Sequence, residues 1–254
     1  MADTKIEWAD KVWNPITGCS KISEGCQNCY AERMANRLKG RYGYPEDNPF
    51  EVTVHEDRLE EPLKWKKPSR VFVCSMGDLF HEDIDPSVIQ DALWCMEKVP
   101  QHTFLILTKR PDTMRKYLRV FYHQKKIPGN IWFGVTVENQ QRADERIPIL
   151  LQIPAAVRFV SVEPMLGFVD LERYLGRKAV SEGIDWVICG GETGPGARPA
   201  QQKAIVDLYK QAKAANIPFF FKKWGSSTSL STVASFPMVE KCREFPREGR
   251  AYGN

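Results

Sequence analysis

Thr103-Phe104-Leu105-Ile106-Leu107-Thr108-Lys109-Arg110-Pro111 is an apolar, β-prone run too short for a helix, closed by polar residues and a proline. A run of this kind reads as a buried strand, and proline suits the first turn of a helix that follows it. The same alternation extends to both sides. β-rich runs recur at Arg70–Cys74, Ile131–Val137, Val157–Val162, Trp186–Cys189 and Pro218–Lys222, and apolar residues return every three or four positions in Pro86–Lys98, Pro111–Val120, Gln140–Leu151 and Ala200–Ala215. Strand, helix, strand at this spacing predicts parallel β/α units.

With one more strand from the Trp8–Ile16 region, the expected fold class is α/β, a single-domain partial or closed (β/α) barrel of parallel strands. An open doubly wound sheet is the alternative. The barrel domain is expected over residues 1–225, and residues 226–254, which lose periodicity, as a C-terminal tail or cap. In either architecture functional groups gather past the C-terminal ends of the strands. Polar residues stand there in series: Ser75 to Asp78, Thr108 and Lys109, Glu138 and Asn139, Glu163, then Gly190, Gly191 and Glu192.

Length and composition agree with a buried core: 254 residues, 43% of them hydrophobic. No apolar run approaches the roughly 18 residues that span a bilayer. The opening Met1-Ala2-Asp3-Thr4-Lys5 lacks the apolar centre of a secretory signal, so the expectation is a cytoplasmic monomer without a membrane partner. Net charge is only +4, so contact with a polyanion has to rest on local clusters. Two interleave cations with aromatics, Lys64, Trp65, Lys66 with Arg70, and Lys222, Lys223, Trp224, as suits phosphates and stacked bases. Solvated loop ends are the plain alternative for both.

Seven cysteines make an odd count, and three fall within eleven residues: Gly18-Cys19-Ser20-Lys21-Ile22-Ser23-Glu24-Gly25-Cys26-Gln27-Asn28-Cys29-Tyr30. The spacing C-x6-C-x2-C ahead of a helix favours thiolates for a soft metal or an iron–sulfur cluster over disulfides. Three ligands rather than four leave one iron open to a cofactor, whereas a structural zinc needs a fourth, for which His55 and Cys74 are available.

This pattern resembles the radical S-adenosylmethionine superfamily, in which three cysteines after the first barrel strand hold a [4Fe–4S] cluster whose open iron chelates S-adenosylmethionine. The usual spacing there is C-x3-C-x2-C, so six residues between Cys19 and Cys26 are a departure. Val71-Phe72-Val73-Cys74-Ser75-Met76-Gly77-Asp78 is similar to the spore photoproduct lyases, where a strand-end cysteine donates hydrogen to the product radical. The whole chain also resembles small phage-associated three-cysteine proteins carrying Ser-Val-Glu-Pro and Gly-Gly-Glu, which places it in a host cytosol if phage-encoded.

The resemblance implies Cys19, Cys26 and Cys29 as cluster ligands and Cys74 as hydrogen donor, with Tyr30 returning the hydrogen. It implies Ser75, Asp78, Lys109 and Thr136 around S-adenosylmethionine, with Glu163, Gly190, Gly191 and Glu192 as further cofactor contacts. The expected activity is lyase repair of 5-thyminyl-5,6-dihydrothymine in DNA through a 5′-deoxyadenosyl radical, with a flavodoxin- or ferredoxin-type electron donor. Alternatives are a radical enzyme acting on a nucleoside, tRNA or peptide, a zinc-containing DNA-binding module, and a partner protein in phage defence or replication. Cys74 packing as a buried hydrophobe, Lys109 as a solvated lysine, Glu163 as a helix cap and Gly190–Gly196 as a plain turn are the bland counterparts; Cys95, His81 and His102 read as structural.

Overall fold

A computed structural model of the chain describes residues 4, 6–175, 183–227 and 236–246. In chain order the elements are β1 (Lys11–Trp13), β2 (Ile16–Thr17), α1 (Tyr30–Leu38), β3 (Thr53–Val54), α2 (Glu56–Leu59), β4 (Arg70–Val73), α3 (Pro86–Lys98) and β5 (Thr103–Thr108). They continue with α4 (Pro111–Phe121), β6 (Ile131–Thr136), α5 (Gln140–Leu150), β7 (Arg158–Val162), α6 (Glu172–Leu175), β8 (Trp186–Cys189), α7 (Gln202–Ala214) and β9 (Phe219–Phe221). Seven strands pair in parallel in the order β1-β4-β5-β6-β7-β8-β9, while β2 and β3 form a small antiparallel pair beside them.

The α/β fold is therefore a partially closed, curled parallel sheet, a half-barrel whose edge strands β1 and β9 do not pair with each other. Local chemistry sets the helix starts: Pro86 and Pro111 open α3 and α4, the Asp85 side chain caps the Ser87 N–H at 2.8 Å, and Asn139 caps α5 through the Arg142 N–H at 3.0 Å. One strand ends earlier than its sequence suggests. Cys74 takes φ = 54°, a left-handed conformation, which turns the chain out of β4 after Val73.

Because side chains alternate along a strand, each strand builds two surfaces. Val71, Val73, Phe104, Ile106, Phe133, Val135, Val160, Val162, Val187 and Phe219 pack with Ile89, Leu93, Met114, Leu118, Ile147, Ile205 and Leu208 of the helices. The intervening residues Phe72, Leu105, Leu107, Trp132, Phe159, Trp186, Ile188 and Phe220 form a second, helix-free cluster with Trp8. This aromatic cluster fills the inner face of the curl. Gly134 leaves room for the Phe159 ring on that face, since a Cβ there would lie 2.5 Å from it.

The free edge of β9 is covered by the chain end: Phe221 N–H donates to Cys242 O (2.9 Å), Glu244 N–H donates to Phe219 O (3.1 Å), and Phe245 packs on Trp186 and under Arg70. Of the expected tail, residues 228–235 and 247–254 lie outside the described residues. Among the described residues no helix is long and apolar enough to cross a membrane.

Candidate functional site

Going up the inner face toward the C-terminal strand ends, the alternation continues but the chemistry changes. Lys109 follows β5, Thr136 ends β6 with Glu138 two residues on, Glu163 follows β7, Gly190 follows β8 and Lys222 follows β9. Lys222 donates to both carboxylate oxygens of Glu163 at 2.6 and 2.8 Å, beside Gly190, whose N–H donates to Val162 O. Gly191 N–H donates to Lys223 O at 2.9 Å. Glu138 is fully buried: Arg146 donates to it at 2.9 Å and Lys109 Nζ stands 3.9 Å away.

The cysteine loop lies across these strand ends and is held by two separate sets of groups. On the β4–β5 side, buried Arg110 reaches Cys19 Sγ (3.4 Å), Ser20 Oγ (2.7 Å), Asp78 (3.3 Å) and Glu82 (2.5 Å). His81, also buried, sits 2.8 Å from Ser20 Oγ. On the β6–β8 side, Ser23 Oγ donates to Glu138 at 2.5 Å, Glu24 is bound by Asn139 and Arg142, and Asn28 donates to Glu192 at 3.0 Å. Residues 20–25, the long spacer between the first two cysteines, thus bridge from one side of the mouth to the other. An open cleft of about 340 Å³ flanks the loop, lined in part by Cys19, Ser20, Glu32, Phe50 and His81.

The three thiols share one electrostatic neighbourhood. Burial pushes Cys19 up to about 11, reinforced by Asp78 and opposed by Arg110, with Cys26 also adding to the rise. For Cys26, burial raises the pKa but is outweighed by the Lys109 ammonium and hydrogen bonds from the Ile22 and Ser23 region, so it falls below the ordinary thiol range. Lys21, paired with Glu32 at 2.9 Å, is raised first by that carboxylate and further by Cys29 and Cys26. His81 is lowered, by burial and then by Arg110.

The remaining sequence candidates are distributed unevenly. Asp78 is buried, with its carboxylate accepting from the Thr108 hydroxyl (2.7 and 2.9 Å), the Lys109 N–H (3.2 Å) and the Phe80 N–H (3.0 Å), so it joins β4 to β5. Ser75 donates to Asn14 at 3.2 Å. Cys74 belongs to the helix-side core, and burial pushes its thiol far up, keeping it protonated. Tyr30 opens α1 and is 58% exposed. The two basic clusters do not share a face. Lys64, Trp65, Lys66 and Arg70 lie at the N-terminal end of β4, opposite the cysteines, where Arg70 pairs with Asp10 and Trp65 packs on His102. Trp224 is buried against Phe221 and Phe236 and offers no face to a base, which corrects its expected stacking role; Lys223 is exposed. Arg110, His81, Asn28 and Arg198 hold the loop without any local sequence signal, because the contacts that do so join residues between 61 and 174 positions apart.

All seven cysteines are free, and the three on the loop are partly exposed. A tetrahedral zinc would hold its sulfurs about 3.8 Å apart, from a Zn–S bond of about 2.3 Å. Among the described residues no three His, Cys, Asp or Glu side chains gather closely enough for one metal ion. Of the two proposed fourth zinc ligands, His55 is bonded through Nε2 to Thr17 Oγ1 at 2.8 Å, and Cys74 is in the core. Lys109 stands in the electrostatic surroundings of Cys26, and Arg110 donates to Cys19 Sγ at 3.4 Å.

The sequence matches, over residues 3–251, the family described as "Protein of unknown function (DUF5131)". No curated protein matches it. Among solved structures, spore photoproduct lyase complexed with dinucleoside spore photoproduct is similar with a TM-score of 0.53 and 12% identity, over 90% of this chain and 79% of that one. A cysteine-to-serine form of the lyase has the same values, and a cysteine-to-alanine form has a TM-score of 0.52 at 12% identity over the same shares. At this identity the likeness is one of fold, a remote resemblance to a member of the radical S-adenosylmethionine superfamily.

Proposed function

We propose, for a chain that belongs to this family of unknown function, a radical S-adenosylmethionine enzyme of the spore photoproduct lyase type that reverts 5-thyminyl-5,6-dihydrothymine in DNA to two thymines. The observation that carries the reading is a single loop of three free thiols lying across the C-terminal ends of a curled parallel sheet. When bound to Cys19, Cys26 and Cys29, a [4Fe–4S] cluster with S-adenosylmethionine supplies a 5′-deoxyadenosyl radical on reduction by an external flavodoxin- or ferredoxin-type donor.

The chain's own residues provide the rest. Lys109 and Glu163 offer a cation and a carboxylate to a zwitterionic cofactor, and Ser75, Thr136, Gly190 and Gly191 line its surroundings; Asp78 and Glu192 act on that shell through their neighbours. The aromatic floor of Trp132, Phe159 and Trp186 excludes water from below. In this reading Cys74, kept as a thiol by burial, gives its hydrogen atom to the substrate radical, and Tyr30 links the resulting thiyl back to the cofactor, restoring the thiol with a hydrogen that it recovers in turn from 5′-deoxyadenosine. DNA contact falls to the exposed Lys223 at the rim rather than to the Lys64–Arg70 run at the far end, Lys222 being engaged by Glu163.

A second reading is favoured by the burial of Cys74: the same radical chemistry on a nucleoside, tRNA or peptide, with no thiol donor. Anaerobic reconstitution, reduction, and incubation with S-adenosylmethionine and a synthetic spore photoproduct dinucleotide separate the two. The lyase yields 5′-deoxyadenosine, methionine and thymidylyl-thymidine. Deoxyadenosine alone discards the lyase and keeps the radical chemistry, and one zinc in place of about four irons discards both.

A further inference from the structure

We propose that the segment from Gly190 to Arg198 is a clamp for the Cys26–Cys29 half of the cysteine loop, with Glu192 and Arg198 as positioning residues for those two thiols. The proposal deepens the cluster reading above and rests on it only for what the thiols hold. The polar groups of the segment converge on residues 24–33. Glu192 is buried, and its carboxylate accepts from Asn28 Nδ2 (3.0 Å) and from the Arg198 N–H (2.8 Å), Nε (2.9 Å) and Nη2 (2.6 Å). Arg198 continues to Glu24 O (3.0 Å) and Gln27 Oε1 (3.2 Å). Asn28, the residue before Cys29, also donates to Gly196 O at 2.8 Å. Arg33 ties both sides together, donating to Asn28 O (3.0 Å) and Thr193 O (2.8 Å).

The glycines are explained by the same contacts. Gly194 and Gly196 have φ of 97° and 72°, and a Cβ on Gly194 would stand 2.6 Å from the Arg33 guanidinium. From behind, the segment is braced by the chain after β9, where Ser226 N–H donates to Glu192 O (2.9 Å) and Ser226 Oγ accepts from Gly194 N–H (3.0 Å). A turn needed only for its backbone would not bury a carboxylate against an arginine that also reaches the backbone carbonyl two residues before Cys26. Cys19 is held independently, by Arg110 and through Ser20 by His81, so the clamp acts on two thiols and not on the third.

That asymmetry is the test. Arg198→Met, Arg198→Lys and Glu192→Gln are compared with wild type and with Arg70→Met at the far end of the barrel. In the reduced, cluster-free chain, maleimide labelling at fixed pH is followed for each thiol by peptide mass spectrometry. After anaerobic reconstitution, iron release to a ferrous chelator is timed, and thermal unfolding is recorded throughout. In Arg198→Met, Cys26 and Cys29 label about tenfold faster while Cys19 keeps its wild-type rate, as expected for losing a charge-assisted anchor. Iron leaves about tenfold faster, the lower range for loss of a ligand-orienting partner, and Arg198→Lys recovers part of both effects at an unchanged unfolding midpoint. Wild-type labelling in Arg198→Met, or equal acceleration of all three thiols together with a lowered midpoint, overturns the clamp. If wild type takes up no iron, the cluster reading fails and the labelling pattern alone decides the clamp.

Discussion

The floor and the rim of the inner sheet face are built on the same strands by the same alternation, yet they are held by opposite physics. The floor is rings on rings: Trp186 meets Trp8, Trp132, Phe159, Phe220 and Phe245 at centroid distances of 5.4 to 6.4 Å. Its stability comes from apolar area and packing, which are indifferent to proton concentration. The rim is charge on charge: Glu138 with Arg146, Glu163 with Lys222, Glu192 with Arg198, and Asp78 and Glu82 with Arg110. Buried ion pairs are poor sources of net stability but are costly to half-remove, so they define geometry more than they raise the melting point. A floor that seals and a rim that orients divide scaffold from chemistry within one sheet.

The comparison breaks most sharply at the thiols. Replacing Cys19, Cys26 and Cys29 together by Ala is expected to abolish iron uptake on reconstitution while leaving the circular-dichroism spectrum and unfolding midpoint close to wild type. The floor answers in reverse. Trp186→Ala should cost about 3–5 kcal/mol in urea unfolding, the range for emptying a buried tryptophan site, with iron uptake per folded chain preserved. Glu138→Gln strands Arg146 next to a neutral amide and loosens Ser23; a loss of about 3 kcal/mol is expected, accompanied by reduced iron retention, and an unaffected iron content would remove Glu138 from the rim's work.

Acid separates the two regions more gently. The Arg110 hydrogen bond holds Glu82 down to about 2, and for Glu192 the upward push of burial is outweighed by Arg198 and Asn28, again to about 2. Carboxylates depressed in the folded state contribute fully above their ordinary value of 4.5, and that contribution disappears as pH falls toward 2. Urea midpoints measured across this window should fall less steeply in Glu192→Gln than in wild type, whereas Trp132→Phe should leave the slope unchanged. The smallest effect is expected at the far end. Arg70→Met removes a partly exposed pair with Asp10 and should cost about 0.2–1 kcal/mol without altering iron content.

Much of the fold is legible in the sequence because short apolar runs and helix starts are local events. Trp186–Cys189 and Pro86–Lys98 form as strand and helix with the bounds their patterns imply. Arg70–Cys74 loses its last residue because a left-handed turn at Cys74 is invisible to hydrophobic periodicity. For the candidate site, the positions of Lys109, Glu138 and Glu163 at successive strand ends follow from strand order. Their partners do not. Nothing near Asn28 announces Glu192, 164 residues later, whereas Lys64-Trp65-Lys66 precedes the strand at Arg70, so its place at the opposite end from the thiols follows from strand direction.

By itself, the sequence determined the parallel β/α series, the aromatic and polar stretches of each strand, and a three-thiol loop before a helix, since each depends on residues close together in the chain. Only the tertiary structure decided that the sheet stays open between β1 and β9, that Trp224 is core, and that Cys19 and the Cys26–Cys29 pair hang from different walls of the mouth. Those outcomes depend on which charges meet once distant strand ends are brought side by side, and pairing of that kind has no signature along the chain.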